Sequence, residues 1–159
     1  MDDFERRATE RIDELGDDID QATFAAMFDL FRVSSRLISD LESKVHRPLG
    51  LSIAGFRILF TVWVFDSLEP RELARLAGVS TAAVSGVVTT LERNGLVEKS
   101  RHDDDRRLVS VRPTVRGRDL LSDAYRAQNA REQELFAELS ADELEVFVSL
   151  LRKVLNTRS

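Results

Sequence analysis

Arg101, Arg106 and Arg107 surround the aspartates Asp103, Asp104 and Asp105 within seven residues. A guanidinium offers a planar fork of donors suited to phosphate oxygens and to the narrow minor groove of nucleic acid. Asp105 is spaced to hold Arg107 in an extended pose rather than to cancel its charge. The aspartate run lacks the one-residue spacing and the terminal bidentate Glu of a calcium loop, so it reads as a polar loop. His46 and His102 are the only histidines and there is no Cys. That removes disulfides, thiolate zinc sites, iron–sulfur clusters, cysteine nucleophiles and thiol redox sensing together. Each histidine reads as a solvated or helix-end residue, and neither a metal site nor a cofactor is expected. The chain has no Gly-x-Ser-x-Gly elbow, no phosphate loop, no Gly-x-Gly-x-x-Gly and no His beside a plausible nucleophile, so an enzyme is not expected.

The formal net charge is −5 over 159 residues, but its distribution is uneven. Residues 1–20 carry nine acidic against three basic groups (net −6), whereas residues 93–118 carry eight basic against four acidic groups (net +4). A basic segment inside an acidic protein is compatible with a local nucleic-acid contact. The N-terminus is acidic where a secretory signal needs a basic start, and the longest apolar run, Ile58 to Phe65, is too short to span a bilayer. A cytoplasmic protein with no membrane partner is the expectation.

The arginine-rich loop needs a rigid mount, and the flanking sequence supplies one. Leu96 to Ser100 and Leu108 to Arg112 alternate with the period of two expected of a hairpin, with the arginines at its tip. Before it, Pro70 suits a first helical position and Gly78 a terminating one, with Leu73, Leu76 and Ala77 inward. Ser80 then caps a helix in which Val84, Val87, Val88 and Leu91 face inward. Two helices joined at a tight Gly-containing turn make a helix-turn-helix. The second helix shows Ser80, Thr81, Ala82, Ser85, Gly86 and Thr89 outward, residues small enough for close approach to base edges. These six, with Arg101, Arg106, Arg107 and the orienting Asp105, are the candidate DNA-binding residues.

Apolar residues recur at three- and four-residue steps from Gln21 to about Val45, marking a long helix stopped by Arg47-Pro48-Leu49-Gly50. Ser52 caps a second helix to about Phe65. Thr114 caps a long helix carrying Leu120, Leu121, Ala124, Tyr125, Leu135 and Phe136, and Ser140 with Glu143 forms a capping box for the last one. The first and last two helices have more apolar surface than a small core can cover, which calls for a second subunit. Met27, Phe31, Phe56, Phe60 and Trp63 read from their spacing as a packed interface, and Arg36 and Arg57 as surface cations.

Leu73-Ala-Arg-Leu-Ala-Gly-Val-Ser80, Val84-Ser85, Leu91-Glu-Arg-Asn-Gly-Leu-Val97, Asp105-Arg-Arg107 and Thr114 together resemble the MarR-type winged-helix transcriptional regulators, from about Phe28 to Leu155. The resemblance implies a mainly α fold with a small β-hairpin, a winged helix-turn-helix flanked by N- and C-terminal dimerisation helices. It assigns residues 1–20 to a polar extension, 21–50 and 114–159 to the dimerisation region and 51–113 to the DNA-binding region. It also implies a ligand-responsive homodimeric regulator, of repressor type, on a pseudo-palindromic site in double-stranded DNA. A small aromatic or phenolic effector would bind beside Phe31, Arg36, Phe56, Phe60 and Trp63. Many relatives carry Arg where Gly86 and Thr90 stand, so Thr81, Ser85 and Thr89 must do more of the reading. Pro113 stands in place of the usual leucine and is expected to shorten the second wing strand. Residues 3–20 resemble the extra helix of the urate-responsive branch but contain no Trp, which argues against urate. The alternative is a winged-helix protein-interaction module that does not bind DNA.

Overall fold

A computed structural model describes residues 3–16, 18–101 and 109–157. The chain divides into two units, Met1–Asp40 and Leu41–Ser159.

The first unit holds α1 (Asp3–Asp13) and most of α2 (Gln21–Leu41). The polar helix expected in the N-terminal extension is present, laced by pairs such as Arg6–Glu10 at 2.7 Å. Phe4 of α1 meets Phe28 at 5.4 Å, and Phe24 meets Phe28 at the same distance. Asp20 caps α2, accepting from the Thr23 N–H at 2.6 Å, and hydrogen bonds from the Thr23 side chain and then its backbone hold the Asp20 carboxyl below the ordinary range. No residue of α2 is buried, and Met27, Leu30, Phe31, Val33 and Ile38 are exposed along it.

The second unit opens with a π-helical turn, Glu42–His46, and a short 3-10 turn, Arg47–Leu49, which ends at Gly50 in the left-handed region (φ 73°). Ser52 then caps α3 (Ile53–Phe65) by accepting from the Gly55 N–H at 3.0 Å. This apolar helix is the hub on which α4 (Pro70–Ala77), α5 (Thr81–Arg93), β2 (Val109–Pro113) and α6 (Val115–Leu135) all pack. Leu59 and Val62 of α3, Leu73 of α4, Val84 of α5 and Val111 of β2 are fully buried in the shared core. In α4 the inward residues are Leu73 and Ala74, with Ala77 packed partly buried against the core as expected, whereas Leu76 is exposed. A two-turn helix buries a narrow stripe, and the small Ala74 fits the close approach that Leu76 was expected to make.

Two further expectations are corrected. His46 ends the π-helical turn, as one of the two expected placements had it, but is completely buried, not solvated: its ring lies 4.4 Å from the Phe56 ring, and neither ring nitrogen meets a hydrogen-bond partner among the described residues. Burial pushes its pKa down, opposed more weakly by the Glu42 carboxylate and the Gln128 side chain. Pro113 does not shorten the wing. The strands β1 (Val97–Arg101) and β2 pair antiparallel over five residues each, with Val97 opposite Pro113. The Thr114 N–H donates to the Leu96 carbonyl at 3.1 Å, so Val97 and Pro113 form a non-hydrogen-bonded pair. An N–H at position 113 would point away from β1, and its absence costs the ladder nothing. On that outer edge Val111 exchanges two hydrogen bonds with Leu68, at 2.8 and 3.0 Å, adding a one-residue third strand.

Thr114 caps α6 as expected, accepting from the Gly117 N–H at 3.0 Å, and it donates its own hydroxyl to the Gly95 carbonyl at 2.7 Å. The last helix, α7 (Ala141–Leu155), opens on the complete Ser140–Glu143 capping box. Like α2 it has no buried residue, and Leu144, Val146, Leu150 and Val154 stand exposed.

Candidate nucleic-acid interface

The presentation of α5 starts with the turn before it. Gly78 takes the left-handed conformation (φ 66°), and the Val79 N–H donates back to the Ala74 carbonyl at 3.1 Å, closing α4 in the manner of a Schellman motif. Ser80 follows at once as the N-cap of α5, its hydroxyl accepting from the Ala83 N–H at 3.2 Å. The chain bends by 110° between the two helices, within the range for a helix-turn-helix. Val84, Val88 and Leu91 anchor α5 to the core. Thr81, Ala82, Ala83, Ser85, Gly86, Thr89 and Thr90 are exposed on it. From Thr81 to Leu91 the helix has no charged residue.

Two of the exposed hydroxyls are committed to the helix itself. Thr89 Oγ1 donates to the Ser85 carbonyl at 2.8 Å and Thr90 Oγ1 to the Gly86 carbonyl at 3.1 Å. In the hairpin, Arg112 pairs with Glu98 at 2.7 Å and Lys99 with Glu92 at 2.6 Å. Arg75 of α4 is held by Glu72, which raises the arginine's pKa and lowers the carboxylate's. Several cations near α5 are thus internally neutralised. The backbone of Arg101 ends β1 opposite Val109. Asp105, Arg106 and Arg107 lie outside the described residues, as do His102, Asp103 and Asp104.

The five residues considered for an effector fall in different units. Phe31 and Arg36 are exposed on α2 in the first. Phe56, Phe60 and Trp63 form a row along α3 in the second, with ring separations of 6.1 and 5.9 Å. Sequence periodicity placed Tyr125 among the apolar residues of α6 but not with this aromatic group; its ring stacks on Phe60 at 5.8 Å. The contact joins residues far apart in the chain, and no local signal announces it. Arg57 donates to the Ala77 carbonyl at 3.3 Å, where it helps end α4. Among the described residues no His, Asp and Glu side chains converge in a group that could hold a metal ion, and no single helix is long and apolar enough to cross a membrane.

A helix-turn-helix with an exposed second helix, joined to a hairpin and flanked by long helices, defines a winged-helix DNA-binding transcriptional regulator. The MarR family model matches residues 51–109, nearly the whole of the segment expected to bind DNA. Over 125 residues the chain is 39% identical to YwaE, an HTH-type transcriptional regulator of Bacillus subtilis, spanning 79% of this chain and 73% of that one. It is 28% identical over 137 residues to the HTH-type transcriptional repressor YetL of the same organism, spanning 84% and 80%. A solved structure of mutant MarR from E. coli in complex with operator DNA superposes with a TM-score of 0.73 at 27% identity, covering 79% of this chain and 90% of the other. The chain belongs to the MarR family of transcriptional regulators.

Proposed function

We propose that the protein is a homodimeric, effector-controlled repressor that inserts α5 of each protomer into successive major grooves of a pseudo-palindromic operator. The wing, through Arg101, Arg106 and Arg107, follows the flanking minor groove. The observation that carries this reading is the exposed, uncharged face of α5 held on a fully buried Val84–Val88–Leu91 stripe. The related MarR structure holds operator DNA, and YetL is named a repressor, which supports the same role here. Dimerisation is supported by α2 and α7, along which Met27, Phe31 and Ile38, and Val146, Leu150 and Val154, stand exposed. An effector is supported by the aromatic row on α3 and α6, which ends at the half-exposed Trp63. Acting on a chromosome, such a protein works in the cytoplasm.

A salt-titrated gel shift with DNA upstream of the protein's own coding sequence tests the proposal. Binding should be specific, should weaken with salt, and should vanish when about five base pairs are inserted between half-sites, because the second helix then meets the wrong face of the duplex. Affinity no greater than for unrelated DNA would overturn it in favour of a protein-interaction module. Phenolic acids should shift Trp63 fluorescence and weaken the complex, since an effector acts only through differential affinity for the two states.

A further inference from the structure

We infer that α5 selects A·T pairs at the centre of each half-site, with Gly86 at the point of closest approach and thymine methyl groups packed against it. The inference rests on α5 being the recognition helix; the ligand follows from family membership, and the choice of base follows from the chemistry of the exposed face.

Gly86 sits in the middle of a helix, where Gly is less stable than Ala. Neither of the usual structural reasons for Gly applies. Its φ is not positive, and a Cβ built on it meets nothing within 4 Å. Its missing side chain instead opens a hollow on the outer surface, shared with Gly50, Ser52, Gly55, Ala83 and Thr90. Leu51, Val87 and Leu91 also line it, so the hollow is largely apolar and suited to a methyl group brought up from outside.

The hydrogen-bonding character of the face orients the pair. Thr89 and Thr90 donate their hydroxyl protons to the helix carbonyls of Ser85 and Gly86, so each Oγ1 has only lone pairs left to offer. In the major groove the amino groups of adenine and cytosine can meet such an acceptor, whereas guanine shows acceptors alone at N7 and O6. A·T and G·C pairs alike show two acceptors and one amino group in the major groove, so what sets A·T apart beneath this face is the thymine methyl, an apolar group that the open space over Gly86 accommodates. Adenine N6 toward Thr89 and the thymine methyl toward Gly86 satisfy both requirements, and no arginine fork is present between Thr81 and Leu91 to favour guanine.

The test uses the full chain and a random-sequence duplex library. Enriched half-sites should have A·T pairs at their centre, and replacing those thymines by uracil should weaken binding about fourfold per deleted methyl, the value of one buried methyl group. Gly86→Ala should raise the melting temperature yet weaken the selected site by about tenfold. Thr89→Val should weaken the selected site by removing the acceptor for the amino group, and Thr89→Ser should bind as the parent does. G·C-centred sites, or uracil sites bound as tightly as thymine sites, would overturn the inference while leaving α5 as the reading helix. A library that enriches no sequence would overturn the recognition role of α5 itself, and this inference with it.

Discussion

Gly117 in the first turn of α6 lies so close to the backbone of Leu96 that a Cβ there would stand 1.9 Å from the Leu96 carbonyl oxygen. The same carbonyl accepts from the Thr114 N–H, and the Thr114 side chain caps Gly117 while bonding Gly95. The hairpin that carries the arginine loop is therefore fixed to the start of α6 at backbone level. Gly117→Ala should cost about 3 kcal/mol, the upper end for overpacking, and lower the Tm by roughly 5–10 °C. Unchanged thermal unfolding would show that α6 is not seated on the wing in this way.

Asp66 is the one described non-glycine residue with positive φ (61°), and the Ser67 N–H donates to the Phe65 carbonyl at 2.7 Å. This is the rare, strained form of γ-turn, which turns the end of α3 toward the Leu68 bridge. Its carboxylate pairs with Arg118 at 3.3 Å, but both groups are solvent-exposed, so the pair adds little. Asp66→Gly should therefore raise stability by about 1 kcal/mol, while Asp66→Ala, which keeps the strain and loses the pair, should lower it. Denaturant midpoints in the opposite order would show that the ion pair outweighs the backbone.

Where the signal was local, the chain could be read directly. Ser52, Ser80, Thr114 and Ser140 each cap the helix their position announced, and Pro70 and Gly78 bracket α4. Where the outcome depended on distant partners, the reading failed. A lone His near a helix end looks solvated until Phe56 and α6 close over it, and Pro113 looks disruptive until the hairpin register shows which way its nitrogen points. The candidate DNA face was legible because exposure on α5 follows from the period of its valines. The aromatic row was legible only along α3, since Tyr125 joins it from another helix.

His46 should make stability acid-sensitive. Burial lowers its folded-state pKa below the ordinary 6.5, so as the pH falls through that value the unfolded chain binds a proton that the buried ring resists. Stability present above about pH 6.5 is then lost on the way down to the lowered pKa. His46→Leu removes the titration and two unpaired ring nitrogens, and should flatten the difference in Tm between pH 7 and pH 5 with little loss at pH 7. An equally steep pH dependence in the variant would assign the effect to other groups.

The wing makes the most direct demand on the proposed mode of binding. An arginine in a narrow A·T-rich minor groove meets enhanced negative potential, whereas one on a phosphate acts alike on every sequence. Arg107→Ala should cost about 1–3 kcal/mol at the operator and leave dimerisation and Tm unchanged, because it removes a charge-assisted contact and no apolar core residue. Arg106→Ala should weaken specific and non-specific complexes together and reduce the salt slope by about one unit. Asp105→Ala should cost less than Arg107→Ala if, as expected from the sequence, it acts only by orienting that arginine. Operator affinity in Arg107→Ala equal to the parent's across a salt titration would reduce the wing to a solvated hairpin tip and leave α5 to supply specificity alone.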